Sequence, residues 1–427
     1  MTKMKILWFT NSACGSVRRN SEEKVTSGGW LISLEEEMKK AEDIQLSVAF
    51  FSSTEKRSFR YDGVDYFPIY VPSASSVIMR IINRYAPLEK LDEKLLPAML
   101  AVVKRVSPDL IHIHGTEERF GLIQDYVKDT PICFSIQGLM APYERKFFSG
   151  MPYALASKHE RIRDKIKRVS LKSNWQRYQF NARREEHFLK HSKYILGRTF
   201  WDKDITLALN QERKYFVVDE ILRSPFYEKQ WGKNNFGAGK MRLVSTMSSC
   251  IYKGFETVLE TADLLKRFSK VDFEWNIIGF DNSDKLVDIA QKITKLEYNS
   301  LNIKLLGIRN ADYVSDVIAQ SDIYVQVSHI ENSPNSVCEA MIMGIPVIAS
   351  FAGGTASLLE NGKEGVLVQD GDPYVCAGAI LDLYSNPSKA IAMGQAARAR
   401  ALERHNANRI RGQLLSAYQT VLEDYSD

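Results

Sequence analysis

The chain has 427 residues, of which 44% are apolar and 26% are charged, and it contains 13 prolines and 24 glycines. This composition excludes a disordered, collagen-like or low-complexity protein, and the length predicts two domains. The net charge of +5 is too small to indicate nucleic-acid binding by itself. The five cysteines are widely spread and form no CxxC pair, which argues against a disulfide framework and against a structural zinc site.

The N-terminal segment predicts a cytoplasmic location for the protein. Its apolar run, residues 6–9, is shorter than a signal peptide or a membrane span requires. The cysteine pattern agrees with a reducing compartment, because it contains no sign of a disulfide framework.

Short apolar runs alternate with stretches of helical periodicity through most of the chain, a pattern typical of βα units on a parallel sheet. In the first half, the predicted strands are residues 5–10, 46–50, 64–70, 110–113 and 132–136. In the second half, they are residues 241–246, 273–278, 303–306, 323–326, 346–349 and 365–368. The chain is therefore predicted to have an α/β fold.

The segment at residues 231–240 is polar, contains glycines and shows neither helical nor strand periodicity, so we predict a linker there. It would separate an N-terminal domain, residues 1–230, from a C-terminal domain, residues 241–404. Residues 405–427 carry apolar side chains at helical spacing, which predicts an amphipathic helix that needs a packing surface. Packing on the protein itself is the prediction, and a partner helix is the alternative.

The segment 321–350 predicts a binding site for an anion. Its first apolar run is a buried strand, and Ser333 and Pro334 then supply an N-cap and a first-turn proline for a helix that runs to about Met343. Gly344 ends this helix. The carboxyl edge of a parallel sheet would thus present unpaired amides and the positive end of a helix.

Two glutamates lie on either side of this corner, with seven residues between them: Glu331 on the loop and Glu339 in the helix. A carboxylate beside a phosphate site would repel the ligand unless it faced neutral groups, so sugar hydroxyls are the predicted partners. On spacing alone, the alternative stays open that Glu339 is an ordinary helix residue and Glu331 a solvated loop acid.

The residues of this segment, ENSPNSVCEAMIMGIPVIAS, closely resemble the E-x7-E signature of family 4 glycosyltransferases, which are retaining enzymes of the GT-B fold. The resemblance implies two Rossmann-like domains facing across a cleft, the first binding the acceptor and the second the nucleotide sugar. It also implies a C-terminal helix that returns to the N-terminal domain. The implied reaction moves a hexosyl unit from a nucleotide-diphosphate sugar to a saccharide or lipid-linked saccharide. The implied pathway is bacterial cell-surface polysaccharide biosynthesis.

The resemblance assigns three catalytic residues, which are Glu331, Lys253 and His114. Glu331 would orient the sugar through a hydroxyl contact, and Lys253 would neutralise the leaving diphosphate. His114 ends a strand at the interdomain cleft, and we expect His112 to point to the opposite face of that strand. Residues 243–254 resemble the loop that grips the diphosphate, with Ser248 where relatives commonly carry an arginine.

The remaining donor contacts are also implied by the resemblance. Glu339 would bind the ribose, the helix start would hold the diphosphate, and the segment after the strand at 303–306 would support the nucleobase. These predicted donor-binding residues are Gly28, Gly29, Lys253, Ile308, Arg309, Glu331, Asn335, Ser336, Val337 and Glu339. The family implies no required metal and no cofactor, and the sequence contains no DxD triplet. Gln137 and Ser357 stand where many relatives carry His and Glu, so no role is transferred to them.

Residues 158–193 carry twelve Lys or Arg and four Asp or Glu, together with four aromatic side chains. A solvated helical face, an anionic membrane surface and nucleic acid are the competing interpretations of this stretch. The membrane interpretation gains from the lipid-linked acceptors that the resemblance implies, and it would place the protein at the inner face of the membrane. No nucleic-acid partner is expected.

Two other functions are compatible with the same architecture. A non-hydrolysing epimerase of nucleotide-linked N-acetylhexosamines would need no acceptor, and the spacing of Glu331 and Glu339 favours transfer over it. A non-catalytic scaffold that binds a sugar nucleotide draws support from Ser248 and Ser357. A dehydrogenase is disfavoured because no G-x-G-x-x-G follows a strand with a matching acidic residue downstream.

Overall fold

The computed structural model describes residues 3–19, 29–55, 57–71, 88–232, 236 and 239–426. The chain divides into two compact units. The first comprises Met1–Glu144, Gln176–Ile221 and His405–Asp427, and the second comprises Arg145–Trp175 and Leu222–Arg404. The segment Arg145–Trp175 thus belongs with the second half of the chain, although it lies in the first half of the sequence. The domain limits at 230 and 241 stay a prediction.

The first unit contains an eight-stranded sheet in the order β3-β4-β2-β1-β5-β6-β7-β8. The neighbouring pairs are parallel except for the antiparallel pair of β3 and β4. The strands are β1 Met4–Thr10, β2 Ile44–Ser52, β3 Phe59–Tyr61, β4 Val64–Tyr70, β5 Leu110–His114, β6 Ile132–Ser135, β7 Tyr194–Gly197 and β8 Lys214–Val217.

Helices flank this sheet, as expected for parallel strands that are buried on both faces. The α-helices that lie wholly or mostly in the first unit are Gly29–Met38, Leu88–Val106, Met140–Lys146, Leu171–His191, Phe200–Leu209 and Ala407–Ser426. The 3-10 helices are Cys14–Arg19 and Arg119–Asp125.

The core of the first unit follows from the two-residue period of its central strand. Ile6 and Trp8 face one hydrophobic cluster, and Leu7 and Phe9 face another on the opposite side of the sheet. The C-terminal helix joins the cluster of Trp8 through the buried side chains of Ile410, Leu414, Ala417, Tyr418 and Val421. This helix therefore packs on the first unit, which confirms the prediction that it returns to the N-terminal part of the chain.

The second unit contains a six-stranded sheet, in the order β11-β10-β9-β12-β13-β14, in which the neighbouring pairs are parallel. Its strands are β9 Met241–Thr246, β10 Phe273–Ile278, β11 Ile303–Leu305, β12 Ile323–Gln326, β13 Val347–Ser350 and β14 Val366–Val368. Its α-helices are Tyr153–Ala156, Ile162–Ile166, Ser224–Glu228, Phe255–Phe268, Lys285–Thr294, Ala311–Gln320, Asn335–Met343, Pro373–Ser385 and Pro387–Arg404. The 3-10 helices are Ile251–Lys253, Tyr298–Leu301 and Thr355–Ser357.

Each strand predicted from the sequence is present within one or two residues at its ends, and the α/β class is confirmed. The structure adds β3, β7 and β8, which were not predicted from the sequence. Within the described residues, no helix combines the length and the apolar character that crossing a bilayer requires.

Candidate functional site

The helix Asn335–Met343 follows β12 at the carboxyl edge of the second sheet. Pro334 is the N-cap, with extended backbone at ψ 108°, and no side chain caps the first turn. The prediction that Ser333 caps this helix is therefore wrong, because the helix begins one residue later. Gly344 ends the helix in the left-handed region at φ 87°, and its amide donates to Met341 O at 2.9 Å, which confirms the predicted stop.

The first turn of this helix supplies the amides that the sequence predicted for an anion. Helix geometry leaves the first amides without intrahelical partners. The amide of Val337 is already engaged, since it donates to Pro334 O at 3.0 Å. The Asn335 side chain brings a buried oxygen, Oδ1, that has no hydrogen-bond partner in the described part of the chain. The amides of Asn335 and Ser336 are thus better placed than that of Val337 to donate to an anion, whereas Asn335 Oδ1 can only accept a hydrogen bond.

Lys253 and Glu331 form an ion pair within the second unit, between Nζ and Oε1. The two side chains are 19% and 8% exposed, so the pair is largely withdrawn from solvent. Lys253 ends the 3-10 helix after β9, whereas Glu331 lies on the loop after β12. The structure therefore brings together two of the three residues predicted to be catalytic, and it pairs them with each other.

Glycines allow these loops to approach so closely. Gly254 lies in the left-handed region at φ 80°, and a Cβ there would collide with the carbonyl oxygen of Val327. Gly353, at φ 55°, lies against the backbone of Glu331 in the same way, and the amide of Gly354 donates to Glu331 O at 2.9 Å. The backbone of Glu331 is thus held from the loop after β13.

Glu339 is buried and makes a two-point contact with Arg223. Arg223 Nε lies 2.6 Å from Glu339 Oε1 and Nη2 lies 2.7 Å from Oε2. Burial raises the pKa of Glu339 above its ordinary value, and the guanidinium opposes that shift. The sequence analysis missed Arg223, because it lies 116 residues from Glu339 in no motif. This carboxylate is therefore held in one orientation by a residue from another element.

Ile308 and Arg309 follow β11, the edge strand of the second sheet. Ile308 is 70% exposed, and the Arg309 guanidinium lies 4.8 Å from the centre of the Tyr313 ring. Arg309 Nε also donates to Leu306 O at 2.7 Å, which fixes the side chain near its own loop. These residues form a partly apolar surface beside the edge strand, suited to a planar group.

In the first unit, His114 is 1% exposed, and neither ring nitrogen has a hydrogen-bond partner among the described residues. Burial, together with the nearby His112, lowers the pKa of His114 well below its usual range, so the imidazole is neutral. The ring centres of His112 and His114 lie 3.8 Å apart. The expectation that they occupy opposite faces is wrong, because residues two apart in a strand share a face.

His112 belongs to a buried hydrogen-bond network. Its Nδ1 lies 2.6 Å from the hydroxyl of Tyr418, and its Nε2 lies 2.6 Å from Ser135 Oγ. Trp8 Nε1 donates to the same Tyr418 hydroxyl at 2.9 Å. Of the predicted glycines in this unit, Gly29 begins the helix Gly29–Met38, and Gly28 lies outside the described residues.

The site of the second unit thus combines a lysine, two carboxylates that each have a cationic partner, and the start of a helix. Such a set can bind a ligand that carries both phosphate and hydroxyl groups, because the cation and the amides suit phosphate and the carboxylates suit hydroxyls. The carboxylates are not arranged as a free acid and base.

Residues 229–400 match the family described as glycosyl transferases group 1. The matched residues are thus similar to group 1 glycosyl transferases, in agreement with the resemblance of segment 321–350. It is 24% identical over 227 residues to the N-acetyl-alpha-D-glucosaminyl L-malate synthase of Bacillus anthracis, covering 52% of this chain and 55% of that protein. It is 27% identical over 168 residues to the amylovoran biosynthesis glycosyltransferase AmsK of Erwinia amylovora, covering 38% and 40%. The chain spans about half the length of these relatives or less.

Solved structures resemble the whole chain. The sucrose-phosphate synthase of Thermosynechococcus elongatus has a TM-score of 0.69 at 16% identity, covering 99% of this chain and 100% of its own. HepE of Anabaena, in complex with UDP-glucose, has a TM-score of 0.65 at 18% identity, covering 98% and 100%. At these identities the likeness concerns the fold alone, and it confirms the predicted GT-B class. The curated relatives favour the glycosyltransferase prediction over the epimerase alternative.

Proposed function

We propose that the chain moves a hexosyl unit from a nucleotide-diphosphate sugar to a saccharide or lipid-linked saccharide, in cell-surface polysaccharide biosynthesis. The observation that carries the proposal is the contact between Lys253 and Glu331 at the carboxyl edge of the second sheet. Relatives named for amylovoran and colanic acid biosynthesis support the class of pathway, and a neighbour in complex with UDP-glucose supports the class of donor.

The charges of the site suit departure of a diphosphate. As the bond between the anomeric carbon and the phosphate oxygen breaks, negative charge grows on the diphosphate, and fixed positive groups stabilise it. We assign this task to Lys253 and to the amides of Asn335 and Ser336. Glu331 is close to the same place, but its pairing with Lys253 reduces its repulsion of the ligand. Its carboxylate would then accept a hydrogen bond from a sugar hydroxyl and orient the ring.

Glu339 is assigned to the ribose hydroxyls, with Arg223 holding the carboxylate in place. In the first unit, the neutral imidazole of His114 is assigned to a substrate hydroxyl, since its ring nitrogens have no other partner among the described residues. We further propose that the anomeric configuration is retained and that neither a metal nor a cofactor is needed. The acceptor oxygen would attack the anomeric carbon from the face of the leaving group, and its proton would pass to the departing phosphate.

The test begins with the binding of UDP, GDP and ADP sugars to the parent protein, measured by thermal shift, because a bound donor stabilises the native state. Glu331→Ala should abolish transfer with the identified donor while the protein stays folded. Glu360→Ala is the control, since that glutamate belongs to the same unit and its side chain is 62% exposed. Normal turnover by Glu331→Ala would contradict the assignment. NMR of the product anomer and activity in excess EDTA test retention and metal independence.

We also propose that part of the basic stretch 158–193 contacts an anionic membrane surface. The helix Ile162–Ile166 exposes Ile162 by 76% and Ile166 by 66%, one turn apart, among exposed lysines and arginines. The two acidic residues in and beside this helix already have partners. Glu160 accepts a hydrogen bond from the amide of Leu171, and Asp164 lies 3.7 Å from Arg163. An apolar pair inside a cationic surface suits the boundary between lipid headgroups and acyl chains better than it suits nucleic acid.

Cosedimentation with vesicles tests this surface. The parent should bind vesicles of anionic lipid at low salt and release them at high salt, since each basic residue near the surface contributes roughly 1 kcal/mol. The double variant Ile162→Ser/Ile166→Ser should bind more weakly. Phe268→Ser is the matched control, because Phe268 is 75% exposed in the same unit outside the stretch. Equal binding of the parent to neutral and anionic vesicles would contradict the proposal.

A further inference from the structure

A buried ion pair of the second unit lies outside the set of residues that the sequence singled out. His329 Nε2 is 2.6 Å from Glu256 Oε1, and the two side chains are 2% and 4% exposed. On the other side of the ring, His329 Nδ1 lies 3.5 Å from Asp370 Oδ2. Burial disfavours the imidazolium, but the two carboxylates outweigh it and raise the pKa of His329.

Each partner of this pair lies beside a residue of the proposed donor site. His329 is two residues before Glu331, and Glu256 is three residues after Lys253. The amide of His329 also donates to the carbonyl of Tyr252, the neighbour of Lys253, at 2.8 Å. The pair thus joins the loop after β12 to the helix Phe255–Phe268, which directly follows Lys253 and Gly254, and its side chains are less exposed than those of Lys253 and Glu331.

The segment Arg145–Trp175 covers the pair. Gly150, at φ 78°, lies so close that a Cβ there would collide with Glu256 Oε1 and His329 Nε2. Lys146 of the same segment lies 3.5 Å from Asp370 Oδ2. Because both side chains are buried, the electrostatic attraction of the pair is screened little. The charged groups near the ring are Glu256, Asp370, Lys146 and, more remotely, Glu260.

We propose that His329 and Glu256 are positioning residues that hold Lys253 and Glu331 at the separation needed for the donor diphosphate and its sugar. This inference rests on the proposed function. The pair acts through the loops and touches no substrate itself. Loss of its charge would let the loop after β12 shift against the 3-10 helix Ile251–Lys253, and a small misplacement of groups that meet the ligand is enough to weaken binding strongly.

The experiment compares Glu256→Gln with Glu364→Gln by calorimetric titration with UDP, GDP and ADP and by urea unfolding. Glu364 is the matched control, because it is another buried carboxylate of the same unit, with a side chain that is 5% exposed against 4% for Glu256. It accepts from the amide of Glu360 at 2.7 Å and lies 3.5 Å from Arg400, near β14. Both variants should lose stability, whereas only Glu256→Gln should lose affinity for the preferred nucleotide, by about tenfold.

The outcomes separate the inference from the function on which it rests. If the parent binds a nucleoside diphosphate and Glu256→Gln binds it within twofold of the parent, the positioning role is refuted while the proposed function stands. Equal losses of affinity in Glu256→Gln and Glu364→Gln would also refute it, since they would reflect stability alone. If the parent binds none of the three nucleotides, the proposed function fails and this inference fails with it.

Discussion

Replacement of Arg223 by alanine should destabilise the second unit through the charge that it leaves behind. The Arg223 guanidinium contacts both carboxylate oxygens of Glu339, at 2.6 and 2.7 Å. Removing one partner of a buried ion pair generally costs about 3–5 kcal/mol, because the other charge stays desolvated. Glu339 is only 5% exposed, but the Arg223 side chain is 35% exposed, so water can partly replace it. We therefore expect the lower end of the range, about 3 kcal/mol.

Equilibrium unfolding in urea, followed by tryptophan fluorescence, measures this loss, and three further variants identify its cause. Arg223→Lys should recover only part of the stability, since an ammonium cannot make the two-point contact. Glu339→Gln and the double variant Arg223→Ala/Glu339→Gln remove the buried charge, so the double variant should be more stable than Arg223→Ala. A free energy of unfolding for Arg223→Ala within about 0.5 kcal/mol of the parent, as for an ordinary surface substitution, would refute the reasoning.

Three other predictions concern single side chains. Lys253→Ala should weaken binding of the nucleoside diphosphate. Glu331→Gln should not weaken it, because the glutamine removes a negative charge near the proposed phosphate site. Calorimetric titration measures both affinities, and equal losses of affinity in the two variants would contradict this prediction. Tyr418→Phe should lower the free energy of unfolding by about 1–3 kcal/mol, since it leaves buried polar partners unsatisfied, and unchanged urea midpoints would speak against it. Burial raises the pKa of Glu185 to about 8, so the native state binds a proton that the unfolded chain has released above pH 4.5. The free energy of unfolding of the parent should therefore fall from pH 5 to pH 8. In unfolding measured over that range, Glu185→Gln should become more stable relative to the parent as the pH rises. A difference in free energy of unfolding that does not change with pH would contradict the prediction.

Most strands that the sheet buries on both faces were predictable, although Tyr194–Gly197, which is buried throughout, was missed. Met241–Thr246 and Ile323–Gln326 form apolar runs at the centre of the second sheet, and their predicted limits match the structure. Two of the three strands that were missed lack this signal. Lys214–Val217 is an edge strand whose side chains are exposed or half-buried, and Phe59–Tyr61 is a three-residue partner of β4. A short edge strand is defined by its hydrogen bonds to a neighbour, which no local pattern reports.

The candidate site was predictable only as far as its motif extends. The segment 321–350 predicted the strand, the helix and its glycine stop, but it placed the helix start one residue too early. Lys253 was predicted to be a site residue, but its contact with Glu331 was not predicted. That contact depends on two βα loops that meet at Gly254. Arg223 could not be found at all, since its only relation to Glu339 is spatial.

The pairing of each glutamate with a cation explains how acidic side chains could lie beside the proposed site for diphosphate. An unpaired carboxylate near the phosphates would oppose binding, and a carboxylate buried without a partner would tend to take up a proton. Lys253 pairs with Glu331, and Arg223 pairs with Glu339, so that each negative charge has a cationic partner. Both cations lie outside the E-x7-E segment. The carboxylates keep their lone pairs in fixed directions for hydroxyl groups, while their charge is offset. The chemistry of the segment therefore depends on residues that its own sequence does not contain.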